Sequence, residues 1–163
     1  MIEMLRVDDR LIHGQIALYW SKHLRVDSII VANDAAAGDK MQIASLKFAC
    51  PADIKLAIVT IEQANKLIPE PRLAERRVLL IVNNFDDARA LILANKDQIK
   101  IFCVGNYGKN VHDGVERKLY SLGLSAHEGE IGILEEIIAT GVESILQTTP
   151  DTPGQALATV IRK

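Results

Sequence analysis

A chain of 163 residues can form one domain with a substantial core, and 48% hydrophobic against 25% charged residues is a globular balance. Nineteen Lys and Arg against 21 Asp and Glu leave a net charge of −2. The tightest basic group, Arg72, Arg76 and Arg77, has no aromatic residues interleaved, so no nucleic-acid partner is expected. Two cysteines, Cys50 and Cys103, are too few for a disulfide framework, and their spacing is not that of a metal site. The charged start MIEMLRVDDRL does not read as a secretory signal, and no run approaches the ~20 apolar residues that cross a bilayer. A cytoplasmic protein is expected, one that would reach a membrane process only through partners.

Short apolar runs alternate with segments of helical period. Ile2 to Val7 reads as a first strand, broken by DDRLIHG, and Gln15 to Leu24 as a helix. SIIVAN (28–33) is a second strand and Asp39 to Phe48 a helix, interrupted by Pro51. IKLAIVT (54–60) and IEQANKLI (61–68) repeat the pattern, followed by a loop with Pro69 and Pro71. VLLIVNN (78–84) is a strand, Asp86 to Ala94 a helix, and IKIFCVG (99–105) a strand running into a loop with Asn106 and Gly108. A short strand is expected at Lys118 to Ser121, a helix at Glu128 to Thr140, a strand at Val142 to Gln147, and a last helix within Pro153 to Lys163. Strands apolar on both faces, alternating with helices, predict an α/β fold: a single open, mostly parallel twisted sheet with helices on both faces, spanning 1–163 as one domain.

Ligands of open α/β sheets bind outside the carboxyl ends of the strands. The residues there are Asp8, Asp9, Arg10 and His13 after the first strand and Asn33 and Asp34 after the second. Thr60 follows the third, Asn83 and Asn84 the fourth, and Gly105, Asn106 and Gly108 the fifth. The first loop is the richest in chemistry. His13 precedes a helix start at Gly14 and Gln15, where free backbone N–H groups favour an anion. Arg6 and Arg10 offer planar forks that match phosphate oxygens. A neutral imidazole is a competent nucleophile for a phosphoryl group. A carboxylate beside that group would repel it, so Asp8 or Asp9 should turn away and orient an arginine or the imidazole.

RVDDRLIHGQI (6–16) resembles the signature of the enzyme IIB components of the mannose/fructose/sorbose class of the bacterial phosphotransferase system. VANDAAAGDK (31–40), VGNYGK (104–109) and EIIATGVESILQTTPDTP (136–153) are similar to further segments of that family, so the resemblance runs through nearly the whole chain. It implies that His13 is transiently phosphorylated, with family precedent for Nδ1, by a phosphohistidine on a IIA protein or domain. It also implies delivery to a sugar held by membrane IIC and IID components, with which the protein would associate peripherally. Arg10 matches a loop arginine that stabilises the phosphate, Asp8 an orienting position, and Arg6 a position for a phosphate or partner contact. Gly14, Gln15, Asn33, Asp34, Gly105 and Asn106 complete the expected binding set, with no cofactor and no metal. The sugar is left open among mannose, fructose, sorbose, glucose and N-acetylgalactosamine, and the oligomeric state is open too, a homo-oligomer being compatible. Tyr107 stands where the family carries an apolar residue, and Val111 to Asp113 reshape the stretch that follows.

Three rival readings have sequence tests. A receiver-like module needs a phosphorylatable Asp after the third strand, where Thr60, Ile61 and Glu62 stand instead. A metal-dependent hydrolase on Asp8, Asp9 and His13 needs further ligands. A metabolite-binding domain would keep the fold with an inert His13. His23, His112 and His127 lack ligand spacing, Cys103 is expected in the core, and GNYGK (105–109) lacks the spacing of a nucleotide phosphate loop.

Overall fold

In the computed structural model, residues 1–14 and 16–162 are described. The chain builds β1 (Ile2–Asp8), α1 (Ile16–Leu24), β2 (Ser28–Ala32), α2 (Asp34–Ala37), α3 (Lys40–Ala49), β3 (Lys55–Val59), α4 (Ile61–Leu67) and α5 (Pro71–Ala74). It continues through β4 (Val78–Val82), α6 (Phe85–Asn95), a 3-10 turn (Lys96–Gln98), β5 (Ile101–Asn106) and the hairpin β6 (Lys118–Ser121) and β7 (Leu124–Ala126). The last elements are α7 (Glu128–Ala139), β8 (Glu143–Leu146), β9 (Gln155–Ala156) and α8 (Leu157–Ile161).

Seven strands form one sheet in the order β3-β2-β4-β1-β5-β8-β9, parallel from β3 to β8, with β9 antiparallel at one edge. The hairpin stands apart as a two-stranded sheet. Central strands such as VLLIV in β4 are buried at every position because both sheet faces are covered. Strand alternation sends Val78, Leu80 and Val82 of β4 to one core with α4, α6, α7 and α8. Leu79 and Ile81 go to the other core, with α1, α2 and α3. The mostly parallel α/β sheet with helices on both faces is therefore as the sequence reads.

The elements not expected are short ones. α2 and α5 are four residues each, too brief for an apolar period to show. β7 and β9 exist only by pairing, β7 with β6 and β9 with Ile145 and Leu146 of β8. That pairing shortens the last helix to Leu157–Ile161. Among the described residues, no helix is long and apolar enough to cross a membrane.

The chain adds β2 and β3 on the β4 side of β1, and then β5 and β8 on its other side. The carboxyl ends of β1, β5 and β8 consequently meet at the switch in strand order, where open α/β sheets hold their ligands.

Candidate functional site

β1 ends at Asp8, and the loop after it is anchored from below. Leu11 and Ile12 are buried in the α1-side core, and the Leu11 amide donates to the Asp8 carbonyl at 3.0 Å. Leu11 takes a φ of 58°, a left-handed conformation that costs a non-glycine residue about 1–2 kcal/mol. Burying its side chain gains about 1.5–3 kcal/mol, which offsets that strain. Gly14, at φ 48°, then turns the chain toward α1. His13 lies between these two turns with its side chain 20% exposed.

Asp8 holds the loop together. Its side chain is 2% exposed. Oδ1 accepts from the Arg10 amide at 3.1 Å, and Oδ2 lies 2.9 Å from His13 Nε2. A carboxylate only accepts, so in a neutral imidazole this contact fits the tautomer with its proton on Nε2 and its lone pair on Nδ1. The Arg10 side chain is exposed on the same loop.

Asp9 turns the other way. Its carboxylate accepts from Asn106 Nδ2, the Gly108 amide, the Asn110 amide and Asn110 Nδ2, at 3.1 to 3.2 Å. The 106–110 segment is thereby tied to the His13 loop. Tyr107, the departure noted in that segment, is buried against Phe85, and its hydroxyl donates to Glu130. Burial first, and the Glu130 carboxylate second, push the Tyr107 hydroxyl far up.

Arg6 does not reach toward a phosphate or a partner as the sequence suggests. It is 2% exposed, on the face of β1 that looks at Trp20. Nη1 donates to the Gln147 carbonyl at 2.9 Å and Nη2 to the Thr148 carbonyl at 2.8 Å, with Nη2 3.9 Å from Asp8 Oδ2. A strand arginine near a loop reads as exposed in sequence, and only the fold shows that two backbone carbonyls consume its fork. Those carbonyls, at the end of β8, carry no side-chain signal and were not legible.

The remaining expected binding residues have structural partners. Asn33 caps α2, accepting from the Ala36 amide at 2.8 Å, and Asp34 accepts from the Ile61 amide at 2.8 Å. Thr60 and Asn84 likewise cap α4 and α6. Side chains that follow strands in this fold are often N-caps, and Asn, Asp and Thr serve both purposes. Gly105 lies inside β5 against Arg6, and Asn106 serves Asp9. Gln15 lies outside the described residues. Of the expected set, the structure brings His13, Asp8 and Arg10 together in one loop, with Arg6 beneath and Asn106 beside it.

Neither thiol is poised to react, since burial pushes both Cys103 and Cys50 up. Among the described residues, no three His, Cys, Asp or Glu side chains converge on a metal position. A cavity of about 640 Å³ opens between β2, β3 and α5, but no residue of the His13 loop lines it.

A partly exposed imidazole at the switch point, with one nitrogen held by Asp8 and the other without a partner among the described residues, suits acceptance of a group from a protein docked on the surface. Residues 2–163 match the family described as PTS system sorbose subfamily IIB component. The chain belongs to this family of phosphotransferase-system IIB components. This IIB component is 33% identical over 141 residues to a Streptococcus pyogenes protein described as "Probable phosphotransferase enzyme IIB component", with 85% of each chain covered. It is 28% identical along its whole length to the mannose-specific EIIAB component of Escherichia coli, about half of which (49%) it spans. The crystal structure of the IIBSor domain of the sorbose permease from Klebsiella pneumoniae matches with a TM-score of 0.88 at 26% identity, covering 99% of this chain and 96% of that one. The IIB component is therefore a phosphotransferase of sugar uptake.

Proposed function

We propose that His13 Nδ1 accepts the phosphoryl group from a phosphohistidine of a IIA protein or domain and passes it to a sugar held by membrane IIC and IID components. The observation that carries this reading is the 2.9 Å contact of His13 Nε2 with Asp8, which in the neutral ring favours the tautomer with its lone pair on Nδ1. In the acceptance step the Nδ1 lone pair forms the new N–P bond. The donor's N–P bond breaks, and its electron pair returns to the donor nitrogen. The His13 ring keeps its Nε2 proton and so becomes a phosphoimidazolium. The Asp8 carboxylate faces that developing charge, where a fixed, buried counter-charge needs no reorganisation during the step. Arg10, whose amide Asp8 holds and whose guanidinium is exposed, supplies a bidentate partner for the phosphoryl oxygens. Delivery to the sugar reverses the bond changes: the P–Nδ1 bond breaks toward Nδ1, and a sugar hydroxyl oxygen bonds phosphorus and loses its proton to solvent.

In this reading residues 1–163 act as one IIB unit at the cytoplasmic face of the membrane. The sugars named for its relatives, mannose, fructose and sorbose, are all compatible with it. The test is ³¹P–¹⁵N correlation spectroscopy on ¹⁵N-labelled protein charged by phosphoenolpyruvate, the general phosphotransfer proteins and a IIA donor. Coupling of phosphorus to His13 Nδ1 is expected. Coupling to Nε2 would contradict the role assigned to Asp8.

A further inference from the structure

We infer that Arg6 is a positioning residue that acts on His13 through Asp8, and that Gly105 lacks a side chain in order to make room for it. The inference rests on His13 being the phosphoryl acceptor.

Strand geometry sets the arrangement: residues two apart share a face, so Arg6 and Asp8 stand side by side on β1. Both are 2% exposed in their side chains, and Nη2 lies 3.9 Å from Oδ2. Burying a guanidinium is costly, and an apolar residue of similar size is often as stable in such a place. The retained charge is best explained by what it faces. Its two terminal nitrogens are fixed by the Gln147 and Thr148 carbonyls, while its Nε is buried with no partner. Trp20 closes the other side: its ring lies 4.9 Å from the Arg6 Cζ, and its Nε1 donates to the same Thr148 carbonyl at 3.3 Å. With no exposed surface, Arg6 cannot bind a phosphate or touch a partner. Its charge reaches the surface only through Asp8.

The consequence for His13 is a tautomer. The guanidinium, 3.9 Å from Oδ2, helps hold the Asp8 carboxylate where it accepts from Nε2–H at 2.9 Å, which leaves Nδ1 as the nucleophile. With Arg6 displaced or removed, the Asp8 carboxylate is no longer held against Nε2–H, and the neutral imidazole shifts its proton in part to Nδ1. The lone pair that attacks phosphorus is lost in that fraction.

Gly105 enters by geometry. A Cβ built on it would lie 2.0 Å from Arg6 Cζ and 2.3 and 2.4 Å from Nη2 and Nη1. Its backbone is not left-handed, so the glycine is needed for space rather than for conformation. Gly105→Ala therefore displaces Arg6 while leaving Arg6, Asp8 and His13 chemically intact.

The experiment compares wild type with Gly105→Ala, Arg6→Lys and Arg6→Met. It reads the His13 ¹⁵N shifts in the unphosphorylated protein and the kcat and KM for phosphoryl acceptance from phospho-IIA. In Gly105→Ala and Arg6→Met the His13 proton is expected to move from Nε2 toward Nδ1. In those variants kcat should fall at least about tenfold while KM for phospho-IIA stays within about twofold. Arg6→Lys, which keeps a charge, is expected to retain more of the Nε2–H form than Arg6→Met. Should Arg6→Met fail to fold, the other two variants decide. A folded Gly105→Ala with the wild-type tautomer and kcat overturns the inference, as does a raised KM at unchanged kcat, which would make Arg6 a partner contact. A tautomer shift in the variants together with a wild type that is never phosphorylated on His13 would instead overturn the acceptor assignment and leave the positioning geometry standing.

Discussion

Glu130→Gln probes the buried polar cluster that pins the hairpin and the 107–117 loop to α7. Glu130 is 6% exposed, and its carboxylate receives Arg117 Nε at 2.9 Å, Arg117 Nη2 at 3.2 Å, the His127 amide at 3.1 Å and the Tyr107 hydroxyl. Gln keeps one acceptor and the shape, but leaves Arg117, 6% exposed in its side chain, with only the half-exposed Asp113 as a charged partner. Breaking a buried pair on one side costs about 3–5 kcal/mol, and the oxygen that Gln retains places this change at the lower end, about 3 kcal/mol. For a chain of this size that lowers Tm by about 6–12 °C at neutral pH. The pH dependence has a definite sign. Burial pushes Glu130 up, but hydrogen bonds from Arg117 and Tyr107 outweigh it and hold the group below its ordinary 4.5. A carboxyl whose folded value is depressed adds stability that is full above the unfolded value and is lost as pH falls through the folded one. The gap between wild type and Glu130→Gln should therefore be widest near neutrality and shrink as pH drops below 4.5. Thermal unfolding followed by circular dichroism from about pH 7 down to about pH 3 reads both effects. A variant within about 2 °C of wild type at pH 7, or a gap that persists unchanged at the acid end, would refute the reasoning.

Two further substitutions separate structural from functional roles. Asn33→Ala removes the cap of α2 and should cost about 0.5–2 kcal/mol by thermal unfolding while leaving the rate of phosphoryl acceptance unchanged. A slowed rate in the folded variant would return Asn33 to the binding set. Asp9→Ala removes the acceptor shared by Gly108 and Asn110 and should speed hydrogen exchange at their amides by about tenfold or more, the equivalent of one hydrogen bond to a charged group. Unchanged protection there would mean that Asp9 does not hold the loop.

The strands were legible because runs such as VLLIV and SIIVA are buried on both faces, which makes them apolar at nearly every position. Helices that cover a core with several turns were legible for a related reason, whereas α2 and α5 bury only one residue each, Ala36 and Leu73. In the site, Asp8, Arg10 and His13 stood out because polar groups crowd one strand end, and Asp8 turned to His13 while Asp9 turned away. Several expected binding residues have structural partners instead, for one physical reason. Asn33, Asp34 and Asn106 are the residue types that bind ligands and also the types that satisfy backbone and loop donors, and sequence does not say which. The packing of Arg6 against Gly105 was not legible for a different reason: a side chain filling the space left by a missing one 99 positions away is a tertiary fact.

The central claim is that His13 carries the phosphoryl group. Intact-mass analysis tests it most directly, after incubation with phosphoenolpyruvate, the general phosphotransfer proteins and a IIA donor shown to be active, with wild type beside His13→Ala. The account predicts an acid-labile gain of a single phosphoryl group in wild type and none in a folded His13→Ala. A gain that survives the substitution, or no gain in wild type, would contradict it.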